Sequence, residues 1–120
     1  IETPETPNAH LRRMAIKRAL ANLVGNAVEF GERVDIAARV TRRFIEFNVE
    51  DDGPGIPEDE REAAFRPFER LDRARNQNRG GGVGLGLSIA LDIARSHGGS
   101  LSLHDSERLG GLRARLLIPR

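Results

Sequence analysis

The hydrophobic period of this chain changes from helical to extended and then does so again, and that double switch limits what it can fold into more than any other feature. Between His10 and Phe30 the apolar residues Ile16, Leu20, Leu23 and Ala27 recur at helical spacing, and Gly31 follows as a stop. The pattern predicts a helix over about 9–30, with Asn8 as an N-cap signal behind a Pro-rich leader. Period two then takes over. Val34, Ile36, Ala38 and Val40 alternate with their neighbours, as do Ile45, Phe47 and Val49, which predicts a hairpin turning at Thr41-Arg42. The second cycle repeats the first: Leu85, Ile89 and Ile93 mark a helix closed by Gly98-Gly99. Leu101 and Leu103 mark a strand, a turn follows at Gly110-Gly111, and Leu112, Ala114, Leu116 and Ile118 alternate in a last strand. Between the cycles lie a structured loop at 51–57, a short acidic helix over 58–64 and a polar, Arg-rich loop over 66–82. Helix, hairpin, helix, hairpin is the signature of an α+β fold. The expected architecture is a two-layer sandwich with helices on one face of a mostly antiparallel, mixed sheet.

One sandwich of this kind accounts for all 120 residues as a single domain, with 1–10 as the leader. Because residue 1 is Ile, the chain reads as a fragment of a larger protein. Nineteen basic side chains nearly cancel eighteen acidic ones, leaving a net charge of +1, which argues against nucleic acid or a membrane surface as the partner. The absence of Cys excludes a disulfide scaffold, a thiolate metal site and a Cys nucleophile. No apolar run approaches the roughly 20 residues of a membrane span, and no signal peptide opens the chain, so the expected setting is cytoplasmic.

Four segments could carry chemistry. Asn22, Asn26 and Glu29 fall within about 60° of one another on a helical wheel. Two Asn on one helix face are either a solvated polar face or oxygen ligands, since an amide oxygen suits Mg²⁺ when substrate phosphates supply the negative charge. The loop Asp51-Asp52-Gly53-Pro54-Gly55-Ile56 is either an ordinary turn or a base-recognition loop, whose Asp51 carboxylate would accept from the exocyclic amine of adenine. Gly80-Gly81-Gly82-Val83-Gly84-Leu85-Gly86-Leu87 runs directly into a helix, where backbone N–H groups can surround phosphate oxygens. It contains neither Gly-Lys-Ser/Thr nor G-x-G-x-x-G. Finally, Phe65-Arg66-Pro67-Phe68-Glu69-Arg70 reads as hydrophobic anchors of a surface loop, or as a lid whose Arg70 or Arg73 meets a γ-phosphate.

Taken in this order, the four segments resemble the catalytic, ATP-binding domain of bacterial sensor histidine kinases of the EnvZ type, from about Leu11 to the C-terminus. The resemblance implies a Bergerat-type ATP-binding fold, with Mg·ATP held between the helices under a mobile lid. It implies Asn26 as Mg²⁺ ligand with Asn22 beside it near the phosphates, and Phe30 near the nucleotide. Asp51 would take the adenine amine in a pocket shaped by Gly53, Gly55 and Ile56. The segment Gly82, Val83, Gly84, Leu85, Gly86 and Leu87 would hold the triphosphate, with Phe68 docking the lid and Arg70 approaching the γ-phosphate. Asn22 stands where gyrase-type relatives carry a Glu that activates water, and an amide cannot act as that base, which favours phosphoryl transfer over hydrolysis. Glu29 stands where many such kinases carry Lys or Arg. The implied partner is the protein's own dimerisation and phosphoacceptor domain, outside this sequence, with a response regulator downstream. Full-length relatives are often anchored in the inner membrane, although this domain itself would touch no membrane. The competing readings are a non-catalytic nucleotide-sensing or docking module, and an ATPase or protein-serine kinase of the same fold.

Overall fold

The structure is a computed structural model that describes residues 7–66 and 86–120, with side chains from residue 12 onward. Helix α1 (Pro7–Phe30) starts two residues before its expected boundary. Proline suits a first helical position because its missing N–H and fixed φ cost nothing there. Strands β1 (Val34–Val40) and β2 (Phe44–Asp51) form the first hairpin. A 3₁₀ turn (Glu58–Glu60) leads into the one-turn helix α2 (Arg61–Ala64), where a single acidic helix was expected. Helix α3 (Gly86–Ser96) precedes β3 (Ser100–Asp105) and β4 (Leu112–Pro119).

The sheet order is β1-β2-β4-β3, and all three described pairings are antiparallel. The described sheet thus bears out the mostly antiparallel arrangement expected. The reason is topological: β2 and β3 run in the same direction across the α3 crossover, but β4 inserts between them and pairs antiparallel with both. Its alternation is complete: Leu112, Ala114, Leu116 and Ile118 are all at most 4% exposed and point toward the helices. Burying each large aliphatic side chain of this set contributes about 1.5–3 kcal/mol.

The helices meet through small residues. Ala19, Leu23 and Ala27 of α1 share one core with Leu87, Ala90 and Ala94 of α3. Thus the inner face of α3 is Leu87-Ala90-Ala94; of the residues that mark the helix in the sequence, Ile89 and Ile93 are half-buried, and Leu85 lies outside the described residues. Alanine lets the two helices approach closely, and the bulkier isoleucines are displaced to the flanks.

The turn of the first hairpin is tied. Thr41 Oγ1 donates to the Phe44 carbonyl and accepts from the Phe44 N–H, each at 3.0 Å, and Arg120 N–H closes the same turn on the Arg43 carbonyl at 2.8 Å. Gly98 ends α3 with φ +76°, a left-handed stop of the expected kind. Gly31 works differently. Its φ is not positive, but a Cβ there would lie 2.8 Å from Asp52 Oδ1, so glycine admits a close approach rather than a reversal.

Candidate functional site

The end of the sandwich where α1 finishes gathers most of the described candidate residues. Asn22 and Asn26 sit half-buried on the α1 flank, and Phe30 is buried at its last turn. A Cβ at Gly53 would meet the Phe30 carbonyl oxygen at 2.6 Å, so the loop after β2 lies directly on the helix end. A Cβ at Gly86 would be 3.6 Å from the Asn22 carbonyl, which brings the start of α3 against α1 two turns before its end. Gly55 takes φ +71°, and Ile56 and Leu87, both buried, belong to the core beneath. Phe68, Arg70, Gly82, Val83, Gly84 and Leu85 lie outside the described residues.

Asp51 is the most buried charged residue of the described chain, at 1% exposure. Its Oδ1 accepts the Gly53 N–H at 2.9 Å and the Leu112 N–H at 3.2 Å. Both bonds end on one oxygen and come from backbone, so they fix the carboxylate without neutralising it. The Leu112 contact exists because the β3–β4 turn closes against the end of β2. There a Cβ on Gly111 would fall 2.4 Å from Asp51 Oδ1 and 2.6 Å from Gly53 N, so no larger residue fits. Gly110 alone takes the positive φ of that turn, +88°.

Two residues near Asp51 escaped assignment from the sequence. Asp52 Oδ1 accepts the N–H groups of Glu32 at 2.8 Å and Arg33 at 3.0 Å, locking the α1–β1 link onto the loop after β2. Those bonds, Arg33 first, hold its carboxyl below the ordinary range. Gly111 read only as half of a turn. The available signal was a second glycine that turn geometry does not need.

The chemistry of the donors suits a nucleotide with a metal ion. Asn22 Nδ2 is buried with no hydrogen-bond partner among the described residues, and an orphaned buried amide is poised for an incoming polar group. Among the described residues, no group of three His, Asp or Glu could hold a metal ion. A cation here would take one amide oxygen from the protein and its remaining ligands from phosphates and water.

The other buried carboxylate of β2 is handled differently. Glu46, 7% exposed on the sheet face away from the helices, accepts from Asn48 Nδ2 at 2.8 Å, Arg39 Nη2 at 3.1 Å and Arg115 Nη2 at 3.3 Å. The Asn48 amide first, then Arg115, hold its carboxyl at about 2 against a usual 4.5.

The chain matches the family signature described as "Histidine kinase-, DNA gyrase B-, and HSP90-like ATPase" over residues 12–120. It is 44% identical over 107 residues to the sensor histidine kinase GtrS of Pseudomonas aeruginosa, and 40% identical over 106 residues to the sensor histidine kinase CpxA of Escherichia coli. Those alignments cover 89% and 88% of this chain but only 21% and 23% of the relatives, so the chain spans about a fifth of their length. Among solved structures, the mycobacterial sensor histidine kinase MprB matches at 29% identity with a TM-score of 0.77, covering 88% of this chain and 72% of that one. The ATP-binding domain of PrrB from Mycobacterium tuberculosis matches at 33% identity with a TM-score of 0.61, covering 89% and 65%.

Proposed function

The chain belongs to the family of histidine kinase-, DNA gyrase B- and HSP90-like ATPases, and on that footing we propose that it is the ATP-binding core of a sensor histidine kinase, using Mg·ATP to phosphorylate a His on a separate dimerisation domain. The observation that carries the reading is Asp51. It is a fully buried carboxylate, oriented by two backbone N–H groups and in no ion pair among the described residues, at the end of the sandwich where α1 finishes at Phe30.

In this reading Asp51 accepts from the exocyclic amine of adenine. Guanine presents a carbonyl there, and two acceptors facing each other across a dry pocket exclude it. Gly53, Gly55 and Ile56 shape the base pocket beside Asp51, and Phe30 lines its wall. Asn26 would hold Mg²⁺ through its amide oxygen, with Asn22 next to the phosphates. Bound Mg²⁺ would supply charge neutralisation across the phosphate oxygens. Gly82, Val83, Gly84, Leu85, Gly86 and Leu87 would surround the triphosphate by motif position. Phe68 would dock the lid and Arg70 would meet the γ-phosphate, again by motif position.

The acceptor His, on another domain, supplies the nucleophile. A bond forms from its imidazole nitrogen to the γ-phosphorus while the bond to the bridging oxygen breaks, and ADP leaves. This chain contributes positioning and charge complementarity. Asn22, a neutral amide, has no capacity to deprotonate water, which keeps hydrolysis slow relative to transfer. A response regulator would take the phosphoryl group afterwards.

The test is a calorimetric titration with ATP, with and without Mg²⁺, against GTP and against Asp51→Asn. Selective binding that Mg²⁺ strengthens and Asp51→Asn weakens supports the pocket. A supplied helical domain bearing the acceptor His should then gain an acid-labile phosphoryl group. Absence of ATP binding at millimolar concentration overturns the reading.

A further inference from the structure

The turn between β3 and β4 forms one side of the Asp51 site, since it supplies the Leu112 N–H and the bare face of Gly111. That turn is fastened through Ser106, a polar residue only 2% exposed that the nucleotide reading leaves unused. The Ser106 N–H donates to the Gly111 carbonyl at 2.8 Å, and the Ser106 carbonyl accepts the Gly110 N–H at 2.7 Å. Its Oγ accepts the Leu109 N–H at 3.1 Å. Those three bonds close the turn on itself. A fourth leaves it: the hydroxyl donates to Glu50 Oε1 at 2.9 Å.

Glu50 is the neighbour of Asp51 on β2, so their side chains leave opposite faces of the sheet. The turn is therefore held to the end of β2 at two successive residues. On the helix side the Leu112 N–H meets Asp51, and on the back Ser106 meets Glu50. Attachment on both faces stops the turn from pivoting about either bond. Ion pairs reach the turn as well. Arg108, 59% exposed, bonds Asp35 Oδ2 at 2.8 Å and Glu50 Oε2 at 3.3 Å. Arg61 bonds the Ile56 carbonyl at 3.0 Å and Asp105 Oδ1 at 2.7 Å, but Asp105 is 80% exposed. Pairs so open to water contribute little. The bond from buried Ser106 is the firmer constraint.

We propose that Ser106, acting through Glu50, is a positioning residue for recognition of the adenine base. The proposal rests on the reading of Asp51 as the acceptor for the adenine amine. Both backbone bonds to Asp51 end on Oδ1, so the orientation they set decides where Oδ2 points, and Oδ2 is the oxygen left for the base. One of those two bonds comes from the turn that Ser106 holds. A hydroxyl is needed there because it accepts from Leu109 while donating to Glu50. Ser106→Ala strands the Leu109 N–H and releases the turn from the back of β2. The loss falls on base recognition and spares the phosphates, which other segments hold in the same reading.

The test compares Mg·ATP with the Mg·triphosphate of purine riboside, which lacks the exocyclic amine. Calorimetry on this chain measures both ligands, with a thermal melt of each variant. The parent should bind ATP more tightly than the analogue. Ser106→Ala should weaken ATP about tenfold, the worth of one hydrogen bond to a charged group, with the analogue unchanged, so that the preference disappears. Glu50→Ala should do the same, whereas Glu50→Gln keeps an acceptor oxygen and should retain the parent's preference. Combining Ser106→Ala with Glu50→Ala should cost no more than either alone. The Glu50 variants carry the test if Ser106→Ala does not fold. A preference for ATP that survives Glu50→Ala or a folded Ser106→Ala, or equal weakening of both ligands, overturns the positioning role and leaves the Asp51 reading standing. A parent chain that binds both ligands equally overturns the Asp51 reading and this proposal with it.

Discussion

Strand β2 carries two buried carboxylates, and the regions around them solve the same electrostatic problem in opposite ways. On the back of the sheet, Glu46 is surrounded by side chains: two guanidinium groups and an amide reach it, and its charge is already compensated. At the end of the sandwich, Asp51 is surrounded by backbone: two N–H groups and the bare faces of Gly53 and Gly111. A carboxylate neutralised by its own protein has no demand left for a ligand. One held by dipoles alone keeps that demand, and a pocket built from backbone cannot rearrange to satisfy it internally. On that difference rests the proposal that Asp51, not Glu46, is the carboxylate that meets a ligand.

The comparison is broken most directly at Asp51. Asp51→Asn keeps an oxygen for the Gly53 and Leu112 N–H groups but removes the charge, and its NH₂ opposes the adenine amine. The expected loss of ATP affinity is about 10- to 100-fold, the range of a charged hydrogen bond, with thermal stability nearly unchanged; calorimetry with a parallel melt checks both. If stability collapses while affinity holds, the two carboxylates have been assigned the wrong way round.

Gly111→Ala attacks the same oxygen from the other side. A methyl group 2.4 Å from Asp51 Oδ1 must push the β3–β4 turn off the end of β2. The expected cost is about 1–3 kcal/mol of stability, as for overpacked sites, together with weaker ATP binding, read by urea unfolding and titration. Gly110→Ala is the control, since nothing lies within 4 Å there and only its φ of +88° is strained.

How much of this was legible follows from how far each feature reaches along the chain. The helices and strands were legible, because a 3.6 or 2.0 period is written within a dozen residues. The Asp51 loop was legible as a motif. That Gly111 shapes it was not, because the contact joins residues 60 positions apart and depends on β4 entering between β2 and β3. The inner face of α3 was not assigned for a different reason: large apolar residues mark the helix, while a close helix pair selects Ala90 and Ala94.

On the back of the sheet, Glu46→Gln should leave ATP affinity unchanged and cost about 1 kcal/mol at neutral pH, since its guanidinium partners are partly hydrated. Its larger signature is in acid. A carboxyl lowered from 4.5 to about 2 on folding contributes stability that is complete above 4.5 and fades as pH falls toward 2. Urea midpoints measured across that window should fall more steeply in the parent chain than in Glu46→Gln. The slope that survives the substitution should diminish in Asp52→Asn, whose carboxyl is also lowered by the Arg33 and Glu32 N–H groups.

The smallest effect concerns His104, which stands opposite Arg113 on β4 with Ser102 Oγ 2.8 Å from its Nε2. Burial first, then Arg113, Arg115 and Arg61, hold its imidazolium below the usual 6.5. Protons therefore bind the unfolded chain more readily than the folded one, and stability declines as pH falls through 6.5. His104→Thr should remove that slope, a change within about 1 kcal/mol, visible as urea midpoints at pH 7.5 and 5.5 drawing closer together. Arg113→Gln should flatten the same slope by a separate route, by lifting the cation from beside the ring. Each substitution acts through side-chain charge on the back face, so neither should alter ATP binding. A change in ATP affinity from either would mean that the two faces of β2 are electrostatically coupled, and that the backbone cage around Asp51 does not insulate it.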